Sequence, residues 1–363
     1  MKICKNIKDH YAAVIVGAGP AGSTLARRLS QAGKDILLID AAAFRGEKVC
    51  AGLISPDAQN LLAEYGITLP SEILSSPQIF SVKTIDLGFA KDRIYRRSYL
   101  NADRARLDAF LLSLVPDGVD TTEALCTKAS RTENGFSLIL KTIEGEKEVF
   151  CDILVGADGA SSVVRKHLFP NKKITRYVAI QQEFSACGEN AYYSCIFDSS
   201  ASPSCSWIFF KDGKLVFGGA FENKAPRDAF EAQKKKLIAR GTVPESIFKE
   251  PLSTKACTVL RPKLSGGICL GKDGAFLIGE AAGFISPSSL EGISFALASA
   301  EALYGALTAS KDARTALYAY KRKSAKLRLK IALKCIKRTF MYVPLLRRLI
   351  LASGVGSIKP KEV

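Results

Sequence analysis

Ala12-Ala13-Val14-Ile15-Val16-Gly17-Ala18-Gly19-Pro20-Ala21-Gly22 decides how this chain of 363 residues is read. The first five residues are a short apolar run, the composition of a strand buried on both faces of a parallel sheet. The glycines follow at once, and Thr24-Leu25-Ala26-Arg27-Arg28-Leu29 opens a helical pattern. In such a strand–turn–helix, Gly17 allows the tight turn and Gly19 lets backbone approach a pyrophosphate. Gly22 permits close packing of helix on strand, with Pro20 and Ala21 at the helix start. The helix N-terminus then offers unpaired N–H groups and the positive end of its dipole to phosphates. A second apolar strand, Ile36-Leu37-Leu38-Ile39, ends in Asp40, where an acid meets ribose hydroxyls. This unit predicts dinucleotide binding.

Two later segments extend the reading. Gly156-Ala157-Asp158-Gly159-Ala160-Ser161-Ser162-Val163-Val164-Arg165 lies about 140 residues downstream. Leu277-Ile278-Gly279-Glu280-Ala281-Ala282-Gly283 follows about 120 residues later. In this order the three segments read as parts of one FAD site, so the chain is expected to be a flavin-dependent oxidoreductase. The predicted fold class is α/β: a Rossmann FAD domain, which resembles the glutathione-reductase type, interleaved with a β-sheet substrate domain and followed by a basic helical tail. Residues 1–75, 101–175 and 263–310 are assigned to the FAD domain, 76–100 and 176–262 to the substrate domain, and 311–363 to the tail.

Composition narrows the alternatives. Apolar content of 47% excludes a disordered chain. The ten cysteines are scattered, with no CxxC pair or metal-ligand spacing, and read as reduced thiols of a cytosolic protein. With two histidines, His10 and His167, His-based metal or triad chemistry is not expected, and no metal site is assigned. The N-terminal apolar run is too short for a signal peptide, and no stretch reaches transmembrane length.

The net charge of +17 is concentrated at one end. From Lys311 onward there are fifteen Lys and Arg against two acids, Asp312 and Glu362, so +13 of the excess lies in 53 residues. Lys326 to Arg338 alternates basic and apolar residues, and Phe340 to Leu351 adds an apolar segment punctuated by Pro344. A basic amphipathic end of this kind suits the anionic inner face of a cell membrane. The alternative is a helix whose apolar stripe packs on the body of the protein. No nucleic-acid motif accompanies the charge, so nucleic acid is not an expected partner. Oligomeric state is left open.

The three Gly-rich segments, with Arg104 to Asp108, resemble the p-hydroxybenzoate hydroxylase class of flavoproteins. Lys48-Val49-Cys50-Ala51-Gly52-Leu53-Ile54-Ser55-Pro56 is similar to the K-x-C-G-G-x-L-x-P loop of the geranylgeranyl reductase family, and Trp207-Ile208-Phe209-Phe210-Lys211 to its Y-x-W-x-F-P-K motif. Pro77 to Thr84, Tyr193 to Asp198 and Gly279 to Ser286 resemble the CbrA-type colicin M tolerance flavoproteins, a likeness over nearly the whole chain.

The resemblance implies roles. Arg104 would reach the pyrophosphate, and Arg45 belongs to the same cofactor-binding set, as do Cys50, Ala51 and Gly52. Asp158 and Gly159 would contact FAD, Glu280 a ribityl hydroxyl, and Gly279 and Gly283 would shape that loop. The helix opening at Gly292 and Ile293 would aim at the flavin ring. Where most of the family carries Asp, this chain has Glu280. Cys50 is the candidate proton donor or gate, with a plain packing residue as its alternative. Trp207 would line an apolar tunnel or serve as a core aromatic. The family's motif tyrosine is Cys205 here and its proline is Phe210, so Tyr193 is the substitute proton donor.

The implied activity is reduction of C=C bonds in a prenyl lipid, with NAD(P)H or another donor supplying electrons. Alternatives are an FAD-dependent monooxygenase or an envelope lipid-binding flavoprotein. A halogenase is disfavoured, because a W-x-W motif cannot exist in a chain with one tryptophan.

Overall fold

In the computed structural model, residues 7–41, 48–186, 188 and 192–358 are described. The chain forms two compact units, each assembled from three separated segments. The first comprises Met1–Glu47, Ala105–Thr175 and Leu260–Leu333; the second comprises Lys48–Arg104, Arg176–Val259 and Lys334–Val363. Besides edge shifts that move residues 101–104 to the second unit and 260–262 to the first, these bounds differ from the sequence assignment at two places. Residues 48–75 belong with the second unit, and the tail is shared between both rather than standing apart.

The first unit is built on an eight-stranded sheet. His10–Val16 lies at its centre, parallel to Ile36–Asp40 on one side and to Gly145–Gly156 on the other. Asp120–Glu123 extends the sheet beyond Ile36–Asp40, and Ala275–Leu277 extends it beyond Gly145–Gly156, both in parallel. Strand order therefore runs in opposite directions from His10–Val16, which makes its carboxyl end a topological switch point, where open α/β sheets bind ligands. The predicted meander is present as antiparallel strands Leu125–Thr132, Gly135–Thr142 and Gly145–Gly156. Helix Pro20–Gln31 packs against helix Ile293–Thr308, whose Glu301 takes two hydrogen bonds from Arg28, each 3.1 Å.

A nine-stranded, largely antiparallel sheet forms the second unit. Successive side chains of a strand point to opposite faces. Ile208 and Phe210 of strand Ser206–Lys211 join Phe184, Phe217, Phe230 and Phe248 in a core under helix Pro226–Ala239. By the same alternation Trp207, Phe209 and Lys211 occupy the other face. There Cys195, Phe197 and Cys205 form a second buried cluster, against which Tyr193, Met341 and Tyr342 pack.

The basic tail is helical, as expected: Ala313–Lys323, Ala325–Tyr342 and Pro344–Ser353. Asp312 caps the first through the Thr315 N–H at 2.8 Å. Pro344, lacking an N–H, marks the break between the second and third. The tail's end is fastened to the second unit. Arg347 is buried against the Asp86 carboxylate at 2.8 Å, Arg93 donates to the Leu351 carbonyl at 2.7 Å, and Ser357–Ile358 pairs with strand Arg93–Asn101. No helix among the described residues is long and apolar enough to cross a membrane.

Candidate functional site

Three loops leave the carboxyl ends of adjacent parallel strands in the first unit. Val16 and Leu277 are both in register with Gly156, so Gly17, Ala157 and Ile278 all leave the same edge of the sheet. The Ala157 N–H donates to Val16 O at 2.8 Å, and the Ile278 N–H to Gly156 O at 3.0 Å. Segments separated by more than a hundred residues in sequence are thus adjacent in space.

Glycine is what lets them approach. Gly17 has φ +106°, and an added Cβ would lie 2.7 Å from Ala157 O and 2.9 Å from Asp158 Cα. A Cβ on Gly22 would overlap the Gly17 carbonyl, and one on Gly279 would lie 3.0 Å from Ala21 Cβ. Gly19 and Gly159 differ: no atom lies within 4 Å of a Cβ placed on either. Gly19 is the N-cap of helix Pro20–Gln31, which has no side-chain cap and no acid in its first turn. A helix N-terminus with no side-chain cap and no acid of its own is the setting in which backbone N–H groups bind phosphate.

Asp158 sits beside this edge. Its Oδ2 accepts the Val163 N–H at 2.6 Å, while its Oδ1 is buried and has no hydrogen-bond partner. Burial raises the carboxyl above its ordinary range, against the lowering pull of Ser162 and Val163. Glu280 is buried, and its Oε1 accepts the Leu260 N–H at 2.8 Å. Asp40 ends its strand half-buried, and its carbonyl accepts the Ala124 N–H. Gly283 adopts φ +90°, and Gly292 caps the helix that opens with the buried Ile293. The open backbone at Gly19 and Gly159, the uncapped helix end and the unpartnered Asp158 oxygen fit a dinucleotide cofactor such as FAD. Arg45 lies outside the described residues.

Other expected site residues belong to the second unit. Arg104 opens helix Arg104–Ser113 and is half-buried. Cys50 Sγ accepts the Gly52 N–H at 3.4 Å, and the Cys257 thiol lies 3.9 Å from the Val49 carbonyl. Trp207 Nε1 donates to Gln181 Oε1 at 3.3 Å, and its indole fits only because its cross-strand partner is Gly218, where a Cβ would lie 2.5 Å from the ring. Tyr193 packs between Tyr99 and Phe209, ring centroids 6.1 and 6.3 Å away. Burial and the neighbouring thiols of Cys205 and Cys195 hold its hydroxyl proton well beyond the usual phenol range.

Two residues were missed in the sequence as members of the site. Arg165 is buried and donates to the Ala160 and Ala281 carbonyls, tying the Asp158 loop to the Glu280 loop. It ends the quoted Asp158 segment, but nothing in the spacing shows where its guanidinium goes. Lys211 ends the tryptophan motif. Its ammonium donates to Ala102 O at 2.5 Å and Ala51 O at 3.4 Å, pinning the Cys50 loop from below. Burial lowers its pKa, opposed by Cys50 and nearby carboxylates. Lys211→Met is expected to leave both carbonyls without this donor, destabilising the loop by about 1–3 kcal/mol. Alkylation at Cys50, followed by peptide mass mapping, should then accelerate several-fold, while Lys211→Arg should retain most of the protection. An unchanged rate in the methionine variant would remove Lys211 from this role.

Residues 15–50 match the NAD(P)-binding Rossmann-like domain family. Among solved structures, the chain is similar to a geranylgeranyl bacteriochlorophyll reductase-like protein from Thermoplasma acidophilum, with TM-score 0.80, 16% identity and coverage of 95% of this chain and 92% of that one. It is also similar to p-nitrophenol 4-monooxygenase PnpA from Pseudomonas putida, with TM-score 0.72, 12% identity and coverage of 96% and 94%. At these identities the likeness is one of fold alone. Protein CbrA of Escherichia coli (strain K12) is 42% identical over 356 residues, covering 96% of this chain and 98% of that protein. By that identity over nearly its full length, the chain belongs to the CbrA family.

Proposed function

We propose that this protein is an FAD-dependent oxidoreductase that reduces carbon–carbon double bonds of a prenyl lipid. The observation that carries the flavin part is the convergence of three loops at the carboxyl ends of adjacent parallel strands. Backbone N–H groups of Pro20's helix and of Gly19 would hold the pyrophosphate, with Arg104 and Arg45 as cationic partners and Asp40 on the ribose. Asp158, Gly159, Glu280 and the helix beginning at Gly292 and Ile293 would hold the rest, Gly17, Gly22, Gly279 and Gly283 setting the backbone paths. Bound flavin supplies a two-electron centre for the double bond, recharged by NAD(P)H or another donor.

For the substrate, the reading rests on the face of the second sheet that carries Tyr193, Phe209 and Trp207. Its aromatic character suits a hydrocarbon chain. Tyr193 Oη would donate a proton to a substrate carbon, and because burial and the Cys205 and Cys195 thiols raise its pKa it would do so as a weaker acid than an exposed tyrosine. Cys50 Sγ would serve as the alternative donor. Fold likeness to a monooxygenase supports a second reading, oxygen insertion into an apolar substrate. The resemblance to colicin M tolerance flavoproteins supports a third, binding of polyprenyl carriers without turnover.

Anaerobic reoxidation separates these readings. The flavin-loaded protein is photoreduced, mixed with polyprenyl lipids without oxygen and followed by flavin absorbance. Reoxidation with a lipid mass gain of two hydrogens per turnover is the expected result. Flavin that stays reduced until oxygen enters, with an oxygenated lipid appearing then, would transfer the assignment to a monooxygenase. Tight lipid binding with neither product would leave a carrier.

A further inference from the structure

Helix Ala325–Tyr342 is apolar on two opposite sides, and only one is covered. Ile331 and Cys335 are buried, at 3% and 8% exposure. Leu329, Leu333, Ile336 and Phe340 are 60%, 57%, 52% and 49% exposed. At 3.6 residues per turn these four fall within about 60° of one another, about half a turn from Ile331 and Cys335. They form one continuous stripe rather than scattered surface apolar residues, which is the pattern that marks an interaction face. The packing alternative drawn from the sequence therefore accounts for the Ile331 side and leaves the Leu329–Phe340 side unexplained.

Charge identifies the occupant. Lys326 and Lys337 are exposed on one flank of the stripe, with the half-buried Lys330, its ammonium over the Phe295 ring, and Lys334 further round the helix, and there is no Asp or Glu anywhere from Ala313 to Ile358. The next helix, Pro344–Ser353, exposes Leu345 and Leu349 one turn apart while Arg347 turns inward to Asp86. A second copy of the chain would bring the same cations to the same face and repel it. An anionic bilayer complements both features: apolar side chains enter the acyl boundary, and lysines reach the headgroups by their flexible stems. The geometry points to the Leu329–Leu333–Ile336–Phe340 stripe as a docking face for an anionic lipid bilayer, the helix lying in the plane of the interface.

The helix is anchored for this task. Tyr342 packs on Phe197 at 5.3 Å between ring centroids, and its hydroxyl accepts the Cys205 N–H at 3.0 Å. Docking would thus hold the sheet face that carries Tyr193 near the lipid phase. The docking itself stands without the redox reading, since it requires neither flavin nor turnover.

Vesicle sedimentation of the full-length, flavin-loaded protein tests it. Vesicles of phosphatidylcholine alone are compared with vesicles containing about one third phosphatidylglycerol. The wild type should sediment with the anionic vesicles, less so as salt rises. The double variant Leu333→Glu/Phe340→Glu should bind them at least about tenfold more weakly, with thermal midpoint unchanged. Ile143→Glu, at a 95% exposed position outside the tail, should leave binding intact. Wild type that fails to sediment, or a double variant that binds equally, would overturn the proposal. So would a dimer in solution that the double variant splits, which would give the stripe to a second copy.

Discussion

Arg165→Met is expected to strip the purified protein of flavin and lower its unfolding free energy by about 3–5 kcal/mol, through buried polar groups left unpaired. Arg165 is 3% exposed, and its two terminal nitrogens donate to Ala160 O and Ala281 O. These carbonyls belong to loops that leave neighbouring strands of the sheet and share nothing else in sequence. Methionine fills a similar length but donates no hydrogen bond, so both carbonyls lose their interior partner. Removing the buried charge returns part of this loss, since its own desolvation no longer opposes folding. Arg165→Lys retains one cationic head but not the two-pronged geometry, and should fall between. Urea unfolding measures the first effect; flavin absorbance after dialysis measures the second. A methionine variant with wild-type midpoint and full flavin content would show that the loops hold their places without it.

The second large effect is expected at the tail. Asp86→Ala should release helix Pro344–Ser353, with a loss of about 3–5 kcal/mol, as for other buried pairs deprived of one partner. Asp86 is 2% exposed; its Oδ2 accepts from Arg347 and Arg348, and its Oδ1 accepts the Gly88 N–H at 2.8 Å. Trypsin reads the change directly, because Arg347 is buried in the wild type and would become a cleavage site. The pH dependence follows from the same contacts. Burial alone would raise the Asp86 carboxyl, but the Gly88 N–H and the Arg347 guanidinium outweigh it and hold the group below its ordinary value of 3.8. A depressed carboxyl contributes its stabilisation in full above that value and loses it as pH falls through the lowered one. Tryptic protection of the tail should therefore persist through neutral and mildly acidic pH and, read by an acid-active protease such as pepsin, vanish only in stronger acid. Protection lost already near pH 5 would require a different titrating group.

The flavoprotein-type architecture was legible because its signals are local. Apolar strands followed by glycines, an acid at a strand end and a Gly-rich turn after the meander each fix a backbone path without reference to distant contacts. Gly17 and Gly22 could be named from sequence because no other residue fits where two main chains meet, and Gly279 because its backbone is left-handed, at φ +54°. Arg165 and Lys211 could not. Both act through backbone carbonyls far along the chain, and any residue type has a carbonyl, so no partner is marked. The grouping of residues 48–75 with the second unit was hidden for a similar reason. Leu53–Ile54 is too short to announce itself as a strand, and its pairing with Arg93–Asn101 is decided by tertiary contact. In the tail, composition revealed an amphipathic basic helix but not which apolar residues turn inward, since Ile331 and Leu333 look alike until one is covered.

Order of synthesis gives the sheet topology a last consequence. His10–Val16 emerges from the ribosome first, yet one of its two neighbours, Gly145–Gly156, follows more than a hundred residues later. The strand beyond that, Ala275–Leu277, comes later still, and Ser299, which accepts the Gly279 N–H at 2.8 Å, arrives after it. Most of the chain must therefore be made before the edge that collects the three loops can close. Contacts so distant in sequence slow folding, because loop-closure entropy must be overcome before any of them stabilises the fold. A nascent chain of this protein therefore carries an incomplete apolar sheet, with the Gly145–Gly156 edge still open, until Ala275–Leu277 is made, and is exposed to aggregation over that interval.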